Sequence, residues 1–301
     1  MESSSGRLFD ADSFWNRRLG DDAPIDLRSD AYVAELRRQL KVASPWINTT
    51  QYSTPVYRVP AGQPTERVVL DTNLWALQRE WEAVPIPPDA KPAAGWDKHL
   101  VVHQPSTDRM WEFGHLERRA GTWHARWGGK MTAVSTNPGY FTGAQSSWGA
   151  TATSLPLIGG LMTIDEVRRG RIDHALALAI PQPKARELSW PAQRTDGSSY
   201  AADAIPEGAR FRLDPALDLD SLRRPRLVRL MAEAAQRYGI VLRDKAGAVV
   251  FDGEASTPTG SDPCRGSAGF FDGQYPNRLL ERFPWDRLQA IQTDMACCWK
   301  R

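Results

Sequence analysis

The chain has 301 residues, with 38 Lys and Arg against 36 Asp and Glu and a formal net charge of +2. That balance gives neither nucleic acid nor an anionic membrane an electrostatic reason to bind, and no apolar run reaches the roughly 18 residues that a membrane span needs. The 12 tryptophans, 22 prolines and 23 glycines suit a turn-rich β protein whose aromatic side chains serve core and ligand alike.

The opening MESSSGRLFD lacks the basic and apolar regions of a secretory signal. As it stands it reads as a cytosolic start; as a trimmed start, it reads as the replacement of a removed leader. Phe14 and Trp15 anchor an N-terminal arm. A helix over Asp30 to Leu40, capped by Ser29, presents Tyr32, Val33, Leu36 and Leu40 as one apolar stripe that covers a sheet. Residues 1–50 are therefore an arm and a covering helix, and residues 51–301 a single domain. Short extended runs follow at Thr54 to Val59, Glu66 to Asp71 and Glu82 to Ile86, with the prolines of VPIPPDAKP marking an edge or a connecting arm.

The stretch Asp97 to Met131 holds four of the five histidines and reads as three consecutive strands. Pro105 to Asp108 has turn chemistry, which sets Gln104 opposite Arg109, Val102 opposite Trp111, Val101 opposite Glu112 and Leu100 opposite Phe113. Side chains alternate along a strand, so Leu100, Val102, Trp111 and Phe113 share an apolar face. His99, Val101, His103, Met110 and Glu112 share the other. A second turn through Glu117 to Gly121 would return the chain with His124 and Arg126 on the polar face and Arg126 opposite Glu112. His99 and His103, about 13 Å apart along one strand, are too distant to hold one ion. A cupin-like metal set would need His99, His124 and Glu112 together.

The Ser-, Thr- and Gly-rich stretch Thr132 to Ala152 reads as a long binding loop, with Tyr140, Phe141 and Trp148 bordering a ligand groove. Thr163 to Glu166 is a capping box and Gly170 the stop of its short helix, which makes Asp165 and Glu166 structural. In RIDHALALAIP, His174, Leu176, Leu178 and Ile180 alternate with three alanines, as in a central strand packed closely on both sides. His174 at its mouth either faces a cleft or is a satisfied structural histidine. Thr195-Asp196-Gly197 is a turn, Gly208 to Leu213 a strand, Leu222 to Tyr238 a helix stopped by Gly239, and Ile240 to Phe251 a hairpin. A short helix near Arg278 to Arg282 and an apolar run Leu288 to Ile291 close the chain. Cys264 can pair with Cys297 or Cys298.

RIDHALALAIP, the downstream WPAQRTDG and the upstream SLPLIGGLMTIDEVRRG together resemble a group of largely uncharacterised proteins of high-GC bacteria that usually carry secretion signals. The resemblance spans about Asp97 to Asp252. It implies an extracellular or cell-surface home and no particular reaction.

The expectation is a mainly β fold, a jelly-roll-type antiparallel β-sandwich with a few peripheral helices. Its function is that of an extracellular glycan-active enzyme on a polysaccharide or oligosaccharide, with no cofactor, metal, nucleic acid or membrane partner. As a glycoside hydrolase, the favoured reaction, it would use Glu112 as acid or base with Asp196 or Asp97 as second carboxylate. As a lyase it would use His99 or His174 to remove a carbon-bound proton, with Arg126 neutralising the substrate carboxylate. Arg126, His124, His103, Trp148 and Tyr140 would hold the sugar. The rival reading is a noncatalytic carbohydrate-binding or phage-tail-like module.

Overall fold

The structure, a computed structural model, describes residues 8–221, 225–258, 269–271, 273–293 and 295–297. In chain order it forms α1 (Ser29–Ala43), β1 (Pro45–Asn48), β2 (Val56–Arg58), β3 (Val68–Leu70), α2 (Trp75–Glu80), β4 (Leu100–Gln104) and β5 (Arg109–Gly114). Next come β6 (Glu117–Arg119), β7 (Thr122–Ala125), β8 (Trp127–Thr132), α3 (Ile164–Arg169), β9 (Leu176–Ile180), β10 (Glu187–Ser189) and β11 (Arg210–Leu213). The last are α4 (Arg226–Arg237), β12 (Ile240–Lys245), β13 (Val249–Asp252), α5 (Pro276–Leu280), β14 (Leu288–Ile291) and β15 (Met295–Cys297). The cysteine pairing lies outside the described side chains.

The fold is mainly β. One sheet has the order β1-β13-β9-β12-β11-β14, a second β2-β4-β5-β8 and a third β3-β7-β6, with β10 and β15 forming a ribbon. The expected uniformly antiparallel arrangement is met only in part, because β1 with β13, β9 with β12, β2 with β4 and β3 with β7 run parallel. The boundary at residue 50 marks no separation either, since β1 is a strand of the largest sheet.

Strand β9 divides two cores, and its alternation explains why. Leu176, Leu178 and Ile180 enter the core roofed by α1 and α4, with Tyr32, Leu36, Leu227 and Met231. Ala175 and Ala177 enter the other, with Trp15, Leu100, Val102 and Phe113. The alanine face admits a close layer: a Cβ on Gly160 would stand 2.6 Å from the Ala177 amide and 2.5 Å from the Trp15 ring. The same strand corrects the expected hairpin at Ile240 to Phe251. β9 lies between β12 and β13, parallel to the first and antiparallel to the second. Both flanking strands carry apolar residues on both faces, and such strands pair as well with an inserted strand as with each other.

The β4–β5 register is the expected one, from Leu100 opposite Phe113 to Gln104 opposite Arg109. The strand after it is not. The tight turn at Ala120 and Gly121 joins β6 to β7, and β7 continues onto β3, so that the neighbour of β5 is β8, with Gly129 opposite Glu112. Glycine is needed there because a Cβ on Gly129 would meet the Phe141 ring at 2.5 Å.

The loop after β8 borders a groove only in part, through Thr136, Pro138 and Tyr140 beside Trp190. Phe141 and Trp148 are buried in the core, at 1% and 3% exposure, and only Tyr140 stays half-buried at the surface. Aromatic residues in a polar stretch bury the most area that the stretch can offer, and the core claims them first. Trp148→Ala is accordingly expected to destabilise by about 3–5 kcal/mol in chemical denaturation. A loss below about 1 kcal/mol would show that this indole is not part of the core.

Candidate functional site

The capping box at the start of α3 forms as its sequence predicts. Thr163 Oγ1 accepts from the Glu166 amide at 3.2 Å, and Glu166 Oε2 accepts from the Thr163 amide at 3.0 Å and from its hydroxyl at 2.7 Å. Gly170, at φ 77°, then turns the chain back. That return brings His174 onto Glu166, with Nε2 3.1 Å from Oε1. The other ring nitrogen, Nδ1, lies 2.9 Å from the carbonyl of Ala175. Both partners can only accept, so both nitrogens donate only when the ring is an imidazolium. Burial pulls the ring toward neutrality, yet the Glu166 charge and these hydrogen bonds together hold its pKa above the ordinary value. Glu166 is buried too, but the His174 charge and the Thr163 donors outweigh that and bring its pKa down to about 2.

These residues line a cavity of about 480 Å³, a size that suits a small ligand. Its far wall comes from β2 and β4, where Arg58 and His103 are register partners and so stand side by side on one face. Burial and then the Arg58 charge lower His103 to about 4, and its ring has no hydrogen bond to any described residue. Arg58 reaches Glu254 at 2.5 Å, and the second oxygen of Glu254 accepts from the Ile164 amide at 3.0 Å, tying β2 to the start of α3. The arm adds Phe9, Trp15 and Asn16, and α3 adds Arg168 and Arg169. Arg169 has no ion pair among the described residues.

Of the expected site residues, His103 and His174 reach this cavity. Glu112 does not. It stands on the predicted side of β5, but that side is covered: Glu112 is fully buried, and its two oxygens accept from the amides of Ala150 at 2.6 Å and Leu157 at 2.8 Å. His99 lies on the same interior face. Burial, then the Arg243 and His115 charges, lower it to about 3, so it is a neutral ring away from the cavity. His124 sits in the third sheet with Nδ1 3.0 Å from Asp71, which Arg119 also engages. Arg126 is exposed and makes no ion pair with Glu112. The metal set of His99, His124 and Glu112 is therefore not assembled. Among the described residues no group of three His, Cys, Asp or Glu could hold a metal ion.

Asp97 lies in the turn before β4, where its carbonyl accepts from the His115 amide at 2.6 Å. Asp196 is exposed, its amide donating to Glu207 at 3.2 Å. Neither approaches the cavity, and Tyr140 and Trp148 do not line it.

Arg58, Arg168 and Arg169 were not foreseen. The spacing from the capping box through the Gly170 stop to His174 is the one local signal that could have joined Glu166 to His174. Compared with known proteins, the chain matches no family model, no curated protein and no solved structure. No described helix is long and apolar enough to cross a membrane.

The interior acids set a pH dependence. Burial pushes Glu112 and Asp244 up to about 7 against the pull of their amide donors and nearby arginines, and burial raises Glu207 as well. Unfolded carboxyls release their protons near pH 4, so above that these acids bind more protons folded than unfolded and stability falls as pH rises through their folded values. His174, raised, acts in the same direction, while the stability from the lowered His99 and His103 is fully present above about 6.5. The melting temperature is expected to fall between about pH 6.5 and 8.5, and less steeply in Glu112→Gln and Asp244→Asn. A flat or rising profile would contradict the assignment.

Proposed function

We propose that the chain is a glycan-active enzyme that cleaves an acidic polysaccharide by β-elimination, working in the cavity between the N-terminal arm and α3. What carries this reading is a contrast on that one cavity: the His103 ring is lowered to about 4 and has no hydrogen-bond partner among the described residues, whereas His174 is raised and has an acceptor at each ring nitrogen, and both stand among arginines. Two titratable groups whose surroundings push them apart are the signature of divided roles.

In the proposed reaction the carboxylate of a uronic acid ring settles among Arg58, Arg169 and His174. Its negative charge offsets the Arg58 field that holds His103 low, so binding itself makes His103 a better base. His103 takes the proton from the carbon bearing the carboxylate. The electron pair of that C–H bond becomes the new carbon–carbon double bond as the adjacent glycosidic C–O bond breaks. The departing oxygen then receives the same proton from His103. The cations stabilise the negative charge that builds on the carboxylate in between.

Hydrolysis, the reaction favoured on sequence grounds, needs a pair of carboxyl groups flanking the scissile bond, one of them protonated. Glu112 is enclosed with both oxygens engaged, and Glu166 is held ionised by His174. A noncatalytic carbohydrate-binding or phage-tail-like module would use the cavity but leave the His103 state without a purpose. An extracellular location and a sandwich-like scaffold belong to the same proposal, the first supported by the sequence resemblance and the second by two sheets packed around the Trp15 and Leu100 core. The jelly-roll connectivity is not carried forward, given the parallel pairs.

Purified protein should release unsaturated uronate products, read by their absorbance, from at least one of a panel of polyuronates. His103→Gln should lower that rate by about 100-fold or more with an unchanged melting temperature. Reducing ends released without unsaturation would assign hydrolysis instead. Saturable binding of these glycans with no product at all would leave the binding module.

A further inference from the structure

A second cavity, of about 490 Å³, opens on the other side of the N-terminal arm. The arm gives Phe9, Trp15 and Asn16 to the first cavity but Phe14, Arg17 and Arg18 to this one. Its remaining wall includes Trp190 and Arg210, so three guanidiniums face one carboxylate, Asp12.

These cations are not committed to ion pairs. Arg210, only 9% exposed, is fixed by bonds from Nε and Nη2 to the Tyr238 carbonyl, Nε at 3.2 Å, and its Nη1 has no partner among the described residues. Burial and then the like charge of Arg17 lower Arg210 to about 10, which marks a site short of negative charge. The side chain of Arg17 makes no hydrogen bond or ion pair with a described residue, and Arg18 only lies over the Tyr238 ring, 5.9 Å from its centroid.

Trp190 is 44% exposed, one of four exposed tryptophans among the described residues, and it alone of the four lines this cavity. Phe14 and Tyr140 hold it, with ring centroids 5.5 and 6.5 Å away, but at interplanar angles of 70° and 83°, so neither ring lies flat against the indole. A fixed indole beside unpaired guanidiniums matches a ligand that has a flat apolar face and an anionic edge. A pyranose carrying a carboxylate or a sulfate has both.

We infer that the Trp190 cavity binds an anionic sugar ring, stacked on Trp190 with its acid group held by Arg17, Arg18 and Arg210. The choice of a sugar rests on the glycan reading above; the choice of an anionic one rests on this cavity. It makes the proposed substrate a polymer that is gripped at a second ring, away from the His103 and His174 cavity.

The test is calorimetric titration of the whole chain with trigalacturonate, a sulfated galactose trisaccharide, neutral galactotriose and inorganic sulfate. Binding of either charged trisaccharide, or both, with galactotriose much weaker is expected, and which of the two binds tells carboxylate from sulfate. Trp190→Ala and the double variant Arg17→Ser/Arg18→Ser, which removes no side-chain hydrogen bond or ion pair among the described residues, should each weaken it by about tenfold or more at unchanged melting temperature. Inorganic sulfate binding as tightly as the sugars, or Trp190→Ala without effect, would overturn the ring and leave an anion site. Equal binding of galactotriose, no binding at all, or intact binding in the double variant would overturn the site altogether. Because His103→Gln is expected to retain this binding, a chain that binds trigalacturonate here yet never cleaves a polyuronate would sink the elimination and spare this site. A chain that cleaves a polyuronate yet binds trigalacturonate equally well in Trp190→Ala and in the double variant would do the reverse.

Discussion

The segment from Ser147 to Gly159 has no strand or helix of its own, and its backbone is satisfied by four charged side chains. Glu112 takes the amides of Ala150 and Leu157, Asp244 takes that of Ala152 at 3.1 Å, and Arg243 donates to the carbonyls of Leu157 at 2.6 Å and Gly159 at 2.8 Å. Arg194 donates to Ser147, Gly149, Thr151 and Ala152, all within 3.0 Å. Buried peptide groups must find partners, and here carboxyl groups hold amides while guanidiniums hold carbonyls. Removing one member would leave buried peptide groups without partners, at a cost of about 1–3 kcal/mol for each.

This clamp sets the cavity as well as the core. Ile158 within the clamped segment and Gly160 and Leu161 just after it form the floor on which Trp15 lies, and Trp15 in turn is pinned by its indole N–H to the Gly139 carbonyl at 2.9 Å. The arm therefore has a fixed seat, with one cavity on each side of it. The bond from the Ala175 amide to the Trp15 carbonyl, at 2.7 Å, joins that seat to the residue beside His174.

Local periodicity made much of the fold legible. Helix α1, the β4–β5 register, the capping box, the two-faced β9 and the Gly239 stop all follow from spacing within a few residues, although Ser29 does not cap α1: it is the helix's first residue and its hydroxyl accepts from the Ala290 amide at 2.9 Å. Errors began where a neighbour is chosen over distance. A strand such as β7 carries no mark that says β3 rather than β5, and nothing in Ile240 to Phe251 says that β9 enters between its halves. The polar face of β5 was placed on the correct side, yet its solvent was replaced by a clamped loop, a decision made by Arg194 and Arg243 far along the chain. For the same reason His103, at the open end of that face, kept its access while Glu112 did not.

Composition hid the polarity that matters for a ligand. A net charge of +2 describes the whole chain, but charges count outside only if they are outside. Among the described residues five carboxyl side chains are buried, Glu112, Glu166, Glu207, Asp252 and Glu254, against three guanidiniums, Arg210, Arg212 and Arg243. Glu112 and Glu207 are moreover pushed toward their neutral forms by burial. The surface is thus more cationic than the sum suggests, and the arm concentrates that excess, with Arg168 and Arg169 at one cavity and Arg17 and Arg18 at the other. An anionic polymer passing the arm would meet positive charge on both sides of it, and it is on this local charge, not on the near-zero net charge, that the proposed acidic glycan rests.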